Sequence, residues 1–310
     1  RHHGRGRPPR RPLYTMEDVN TTITRFDTHE YREPWSLFDG VRVEYWDAGH
    51  ILGSALTVFD FAHNGRSFRL GMSGDLGRPA RRILRDPDVH PGVDALVLES
   101  TYGDRQHTPN EQTERELSEI VTRTLARGGR VMVPAFAVGR SQELLSTMLD
   151  LMAQKRIPEA PVFVDSPLAS EATDVFMRHK ELWVAAARKQ LAGLRDPAVT
   201  GGRVRFVGSP QESRALNDRT DPCIIIAASG MCEGGRILHH LQHGLGNSRN
   251  TVLFVGFQGE GTLGRRLRDG AETVNIFGEP VVRRAEIAAL DGFSAHADQS
   301  ELVTWVGALD

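Results

Sequence analysis

Two short segments place an imidazole and a carboxylate beside glycine. They are Asp47-Ala-Gly-His50-Ile-Leu-Gly-Ser54 and Ser73-Gly-Asp75. Each follows an expected strand, and ligands at strand ends are how an open, catalytic site presents itself to a divalent metal. Gly49 and Gly53 let the backbone pack closely while the His50 ring projects. Asp47 reads either as an acid that orients the ring from behind or as a solvated strand-end residue. Asp75 alone reads as a turn aspartate. Paired with His50, it reads as a metal ligand.

A second constellation is Asp291-Gly-Phe-Ser-Ala-His296-Ala-Asp298. His296 stands just before a helix that Asp298 is placed to cap. A helix N-terminus disfavours imidazolium, so this ring gives up a proton readily. Glu99 ends a buried strand, and a buried carboxylate without a partner is costly. It is therefore expected to orient such a ring, although an exposed loop acid is the plainer reading. His239 and His243 share a helix face, but there is no HExxH glutamate and no third ligand, so they read as surface or packing residues. His2 and His3 read as solvated. His29, His63, His90, His107 and His179 have no supporting constellation.

The elements that must hold these groups change character along the chain. Thr15-x-x-Asp18 opens a helix to about Phe26 in capping-box style. Val41–Tyr45 alternates as a strand, and residues 55–61 and 66–72 form a hairpin around Asn64-Gly65. From about Val93, apolar strands alternate with helices. A strand at 93–98 ends at Glu99, and Thr108-Pro-Asn-Glu111 caps a helix that buries Leu117, Ile120, Val121 and Leu125. A strand at 130–133 precedes a helix from about Gly139. Further strands fall at 161–164, 203–207, 223–228 and 251–256, with a final capping box at Asp298-Gln-Ser-Glu301. This rhythm predicts a parallel, doubly wound sheet. Small and polar residues gather at its strand ends, in the stretches 134–143, 165–170, 228–236 and 256–261. Ligands bind at such ends, and helix N-termini favour phosphate. Neither GxxxxGK[ST] nor a GxGxxG with a suitable acidic partner occurs, so nucleotide-binding readings are weak.

The chain has 310 residues, 25% charged and 39% hydrophobic, with a net charge of -2. That is ordinary globular composition with room for one large or two smaller domains. The charge does not announce a nucleic-acid binder, though a local basic patch is compatible with it. No apolar run suits a membrane span. The first eleven residues hold five arginines but no apolar signal-peptide core, and read as a flexible arm or cut end, or less readily as an RNA-contacting arm. Cys223 and Cys232 fit neither a disulfide framework nor a CxxC zinc site, which makes a reducing, cytoplasmic setting the default.

Together, the stretches 47–55, 73–77, 98–104, 134–143, 229–241 and 291–298 resemble the metallo-β-lactamase-fold nucleases that carry a β-CASP domain. This is the family of the endonuclease subunit of the pre-mRNA 3′-end cleavage factor, and the short prokaryotic relatives match best. The resemblance implies an α/β fold, an αββα sandwich interrupted by a β-CASP domain with a mostly parallel sheet. It places residues 1–104 in the first sandwich segment, 105–290 in the β-CASP domain and 291–310 in the second sandwich segment. It implies a zinc-dependent ribonuclease with two zincs per complete site, acting on single-stranded RNA. An inactive RNA-binding scaffold and a DNA-directed nuclease are the alternatives. His50 becomes a zinc ligand and Asp75 the carboxylate that bridges two zincs. Glu99 matches the family's acidic motif, and His296 the β-CASP histidine beside the scissile phosphate. Arg140, Ser141, Ser166, Ser229 and Arg236 are expected to hold backbone phosphates. The family's HxHxDH motif would precede the first residue here and another ligand His would follow the last. The 310 residues alone are therefore expected to bind metal poorly and to show little activity. No membrane partner is expected, a homodimer is left open, and endo- versus exonuclease action is undetermined.

Overall fold

The computed structural model describes residues 12–191 and 193–309. The arginine-rich first eleven residues, with His2 and His3, lie outside them. The helix α1 (Met16–Ile23) opens on the expected capping box, in which Thr15 and Asp18 satisfy each other's backbone N–H groups.

A five-stranded sheet comes first. It comprises β1 (Trp35–Phe38), β2 (Val41–Asp47), β3 (Ala55–His63), β4 (Arg66–Met72) and β5 (Ala95–Val97), in that spatial order. The β3–β4 turn is Asn64-Gly65, with φ of 50° and 73°. Two left-handed residues make the turn whose twist matches the strands. Register then sorts the faces. Trp46 pairs with Leu56 and Gly71 with Leu96, and that side packs against Ala297, Leu302 and Trp305. The opposite side carries Phe59, Phe61, Phe68, Leu70, Met72 and Val97, of which Phe68, Met72 and Val97 are exposed. An apolar sheet face of this kind is what a second sheet packs on.

The second layer system holds the strands β6 (Arg130–Pro134), β7 (Val162–Val164), β8 (Val204–Phe206), β9 (Cys223–Ala227) and β10 (Thr251–Phe254). After the hairpin β11 (Thr273–Ile276) and β12 (Glu279–Val282) comes β13 (Glu286–Ala289), which returns to the same sheet. The order is β13-β10-β6-β9-β7-β8, and every pairing is parallel. Helices cover both faces: α2 (Asn110–Ala126), α3 (Arg140–Ala153), α4 (Pro167–Arg178), α5 (Ala185–Leu191), α6 (Pro197–Thr200), α7 (Pro210–Asn217), α8 (Ile237–Gly244) and α9 (Leu263–Arg268). The strands show why. Val131, Val133, Ile224 and Ile226 join the core under α2, α3 and α4, while Met132 and Ile225 join the core under α7, α8 and α9. Strands buried on both faces read as continuous apolar runs. The last helix, α10 (Gln299–Gly307), folds back onto the first sheet from its capping box at Asp298 and Glu301.

The doubly wound sheet, the hairpin and the terminal capping boxes match the sequence expectation. One cap does not. Pro109, extended at φ -56° and ψ 146°, takes the position before α2, and no side chain caps the helix. Thr108 contributes its carbonyl instead, which accepts the Thr113 hydroxyl at 3.5 Å. The strands β1 and β11 to β13 carried no turn signal recognised in the sequence. The β11–β12 turn is Phe277-Gly278, with φ of 54° and 88°, and phenylalanine is an unusual residue for a left-handed position. Among the described residues, no helix is long and apolar enough to cross a membrane.

Candidate active site

Three loops of the first sheet and the approach to α10 converge. His50 lies in the β2–β3 loop. The Ser54 hydroxyl accepts the backbone N–H groups of His50 at 3.1 Å and Ile51 at 3.3 Å, which closes that loop on itself. Asp75 lies just after β4. The two loops touch backbone to backbone: the Gly77 N–H donates to the Ala48 carbonyl at 2.7 Å. A Cβ on Gly77 would fall 2.1 Å from the Gly49 carbonyl oxygen, so only glycine permits this approach. Gly77 also bridges His296, and the Ala297 N–H reaches the Leu76 carbonyl at 2.8 Å. One short glycine-bearing stretch therefore registers His50, Asp75 and His296 against one another.

The result is a compact donor set. His50 Nε2 lies 3.9 Å from Asp75 Oδ2. The rings of His50 and His296 have centroids 4.3 Å apart. Ligand atoms of His50, Asp75 and His296 all fall within 4.8 Å of one another. Asp75 is 61% exposed, whereas the His50 ring is largely buried and its Nδ1 makes no well-formed hydrogen bond. Burial, with the neighbouring His296, lowers the His50 pKa, which keeps the ring in the neutral form that a metal requires. Two imidazoles and a carboxylate are the donor chemistry of catalytic zinc, so the residues present fit a metal.

Glu99 stands behind His296. Its side chain is 6% exposed, and its oxygens lie 3.1 and 3.3 Å from His296 Nδ1. It also accepts the Leu76 N–H. Burial pushes this carboxyl up, but hydrogen bonds from His296, Thr101 and Leu76 outweigh that and hold it below its ordinary value. An ionised Glu99 can only accept, so His296 Nδ1 carries the proton and its Nε2 is left facing the cleft. Asp47 does not orient the His50 ring. Its carboxylate takes the Gly49 N–H at 2.9 Å and lies 3.4 Å from Arg85. Sequence reasoning passed over His107, whose Nε2 meets the His296 carbonyl at 3.1 Å and whose ring lies 4.6 Å from that of Tyr102. No spacing along the chain could have revealed that contact, which joins residues 189 positions apart.

The expected phosphate contacts divide. Arg140 opens α3 and lines a cleft of about 610 Å³ together with His50 and His296. Its side chain is 10% exposed and lies 3.5 Å from Glu143, yet Nε and Nη1 have no hydrogen-bond partner. Burial pushes its pKa down to about 10, so it stays charged at neutral pH. The others are bonded internally. The Ser141 hydroxyl donates to the Phe136 carbonyl at 2.7 Å, and Ser166 caps α4 through the Ala169 N–H. Ser229 accepts the N–H groups of Glu233 and Gly234. Arg236 donates to Asp165 at 2.6 Å and to the carbonyls of Val207 and Gly208. Asp165 is wholly buried and is also bonded by His240 and Ser213, each at 2.6 Å. A buried carboxylate recruits every donor in reach, which explains where these strand-end groups went.

The fold and site define a two-sheet α/β protein of hydrolase type, with a metal-compatible donor set at the strand ends of one sheet and helices packed on both faces of the other. Comparison with known proteins sharpens this. Residues 141–267 match the Beta-Casp domain, and residues 280–310 match the Zn-dependent metallo-hydrolase RNA specificity domain. Ribonuclease TTHA0252 of Thermus thermophilus is 38% identical over 95% of this chain and 67% of its own length. The transcription termination factor FttA of Methanocaldococcus jannaschii is 32% identical, over 94% of this chain and 47% of its own length. An RNase J-like protein of the same archaeon is 31% identical, with 94% and 67% covered. The chain belongs to the metallo-β-lactamase-fold, β-CASP family of RNA nucleases. It spans about two thirds of the length of the two ribonuclease-type relatives and about half that of the termination factor. Membership supports a metal cofactor.

Proposed function

We propose that this chain carries the working centre of a zinc-dependent ribonuclease that hydrolyses phosphodiester bonds of single-stranded RNA. One observation carries the reading: ligand atoms of His50, Asp75 and His296 gather within 4.8 Å at a cleft, with Glu99 fixed behind His296. The names of the relatives favour a ribonuclease over a DNA nuclease or an inert scaffold. Two buried, unpaired cysteines suit a reducing cytoplasm.

His50 and Asp75 would hold the metal, with two zincs in a complete site. When bound, zinc there would lower the pKa of a water and neutralise phosphate charge. The chain's own groups do the rest. Glu99 keeps the His296 ring oriented, as a carboxylate behind a catalytic imidazole does. His296 Nε2 then donates to a phosphate oxygen or to the leaving oxygen. Arg140, charged and lining the same cleft with an Nε that bonds nothing, holds a phosphate.

The test follows cleavage of an end-labelled single-stranded RNA by the full-length protein, with bound zinc measured on the same samples. His50→Ala and Asp75→Asn should lose metal and cleavage together. His296→Ala should keep its metal and lose roughly 10²- to 10⁴-fold in rate. Wild-type cleavage by that variant would remove His296 from the chemistry, and loss of metal would make it a ligand. With His50 and Asp75 as the only proposed ligands among the described residues, the chain by itself should hold zinc weakly, and metal analysis of the purified chain checks this.

A further inference from the structure

The cleft that reaches His296 and Arg140 also has an apolar lining that the proposed chemistry does not use. Phe136 and Phe257 line it, with Leu168 and Met231 beside them. The two phenylalanines are 46% and 54% exposed. They stand just beyond the carboxyl ends of β6 and β10, which are neighbouring strands. Other phenylalanines of the chain are exposed too, Phe26, Phe38, Phe68 and Phe277 among them, but these two line the cleft that holds His50, His296 and Arg140.

The loops that carry both rings are held in place. The Phe136 carbonyl accepts the backbone N–H and the hydroxyl of Ser141, at 3.2 and 2.7 Å. The ring lies against Gly230, where an added Cβ would come within 3.0 Å of it. The Gln258 amide donates to the carbonyls of Gly230, Gly256 and Phe257, which ties the Phe136-contacting loop to the Phe257 loop. Buried polar groups thus fix in advance the two loops that carry the exposed rings, and a site ordered beforehand loses less on binding a ligand.

We infer that Phe136 and Phe257 form a stacking subsite for an unpaired RNA base, one whose backbone phosphate lies on Arg140 beside His296. This rests on the ribonuclease reading. The occupant follows from continuity with the site. One ligand must offer an anion to a nine-tenths-buried guanidinium with free donors and a flat apolar face to two rings, and a nucleotide of a single strand does both. A base held in a duplex cannot present its face, so the subsite selects unpaired RNA. Stacking accepts any base, so the subsite imposes little sequence preference.

The test is binding of a single-stranded RNA carrying one 2-aminopurine to the full-length protein with metal chelated, so that nothing is cleaved. Phe136→Ala and Phe257→Ala should each weaken binding about tenfold and remove the fluorescence quenching that stacking causes. Phe136→Leu keeps the apolar bulk and should behave like the alanine variant, whereas Phe136→Trp should restore both signals. The losses should persist at high salt, where the effect of Arg140→Ala fades. Leucine or alanine variants that bind and quench like wild type would overturn the stacking subsite and leave the ribonuclease reading intact. A wild-type protein that binds no single-stranded RNA would overturn both.

Discussion

The two sheets treat their strand-end polar residues in opposite ways. On the first, mixed sheet, the loops after β2 and β4 bring His50 and Asp75 to one cleft, and their own stability comes from backbone hydrogen bonds, the Ser54 hydroxyl and the close Gly49–Gly77 contact. On the parallel sheet, similar-looking residues are consumed. Arg236, His240 and Ser213 all bond Asp165, and the Ser141 and Ser229 hydroxyls bond backbone groups. The lesson is that a polar strand end becomes a ligand site where the loop is held without using the ligand side chains themselves. Where a buried carboxylate sits at the strand end, the surrounding donors serve it first. Arg140 is the exception on the parallel side, and its free donors are what mark it.

The largest effect should come from the internal network. Asp165→Ala leaves Arg236 and His240 without their acid and should cost about 3–5 kcal/mol, read by denaturant unfolding. RNA cleavage per folded molecule should stay near wild type. Loss of cleavage without loss of stability would mean that these groups serve the substrate, and the contrast would break. Gly77→Ala comes next. A methyl group 2.1 Å from the Gly49 carbonyl must push the two loops apart, at about 1–3 kcal/mol. Its distinguishing sign is loss of zinc from a protein that is still folded. A smaller but sharper effect is acid dependence. Burial alone would raise the Asp165 pKa, but bonds from His240, Ser213 and Arg236 overcome that and lower it. A depressed carboxylate stabilises above its ordinary value of 3.8, and that stability drains as pH falls through the folded value. The stability gap between wild type and Asp165→Asn should therefore be full at neutral pH and narrow below pH 3.8. A gap that stays constant with pH would show that Asp165 is not held as a carboxylate. Ser229→Ala should be the mildest, about 1 kcal/mol for the two N–H groups left unbonded, with no change in RNA affinity.

Much of this was legible from pattern. Asn64-Gly65 announces its hairpin, the capping motifs at Thr15 and Asp298 form boxes in the structure, and the apolar run Cys223–Ala227 is a strand buried on both faces. The Ser209 box and the Phe277-Gly278 turn are in the structure without having been recognised in the sequence. Asp47 fits neither of its two sequence readings, since it is buried rather than solvated and accepts the Gly49 N–H rather than orienting the His50 ring, because nearness in sequence does not settle nearness in space.

Local rules therefore fixed the periodicity, the turns and the residue types able to bind metal or move a proton, because each depends on a few neighbouring residues. Which of those residues meet was decided only in three dimensions. Glu99 and His296 are 197 positions apart, and Asp165 and His240 are 75 apart. The first pair opens onto a cleft and the second is sealed. That difference arises from what packs above each pair, and burial decides whether a polar group is free for a ligand or bound within the fold.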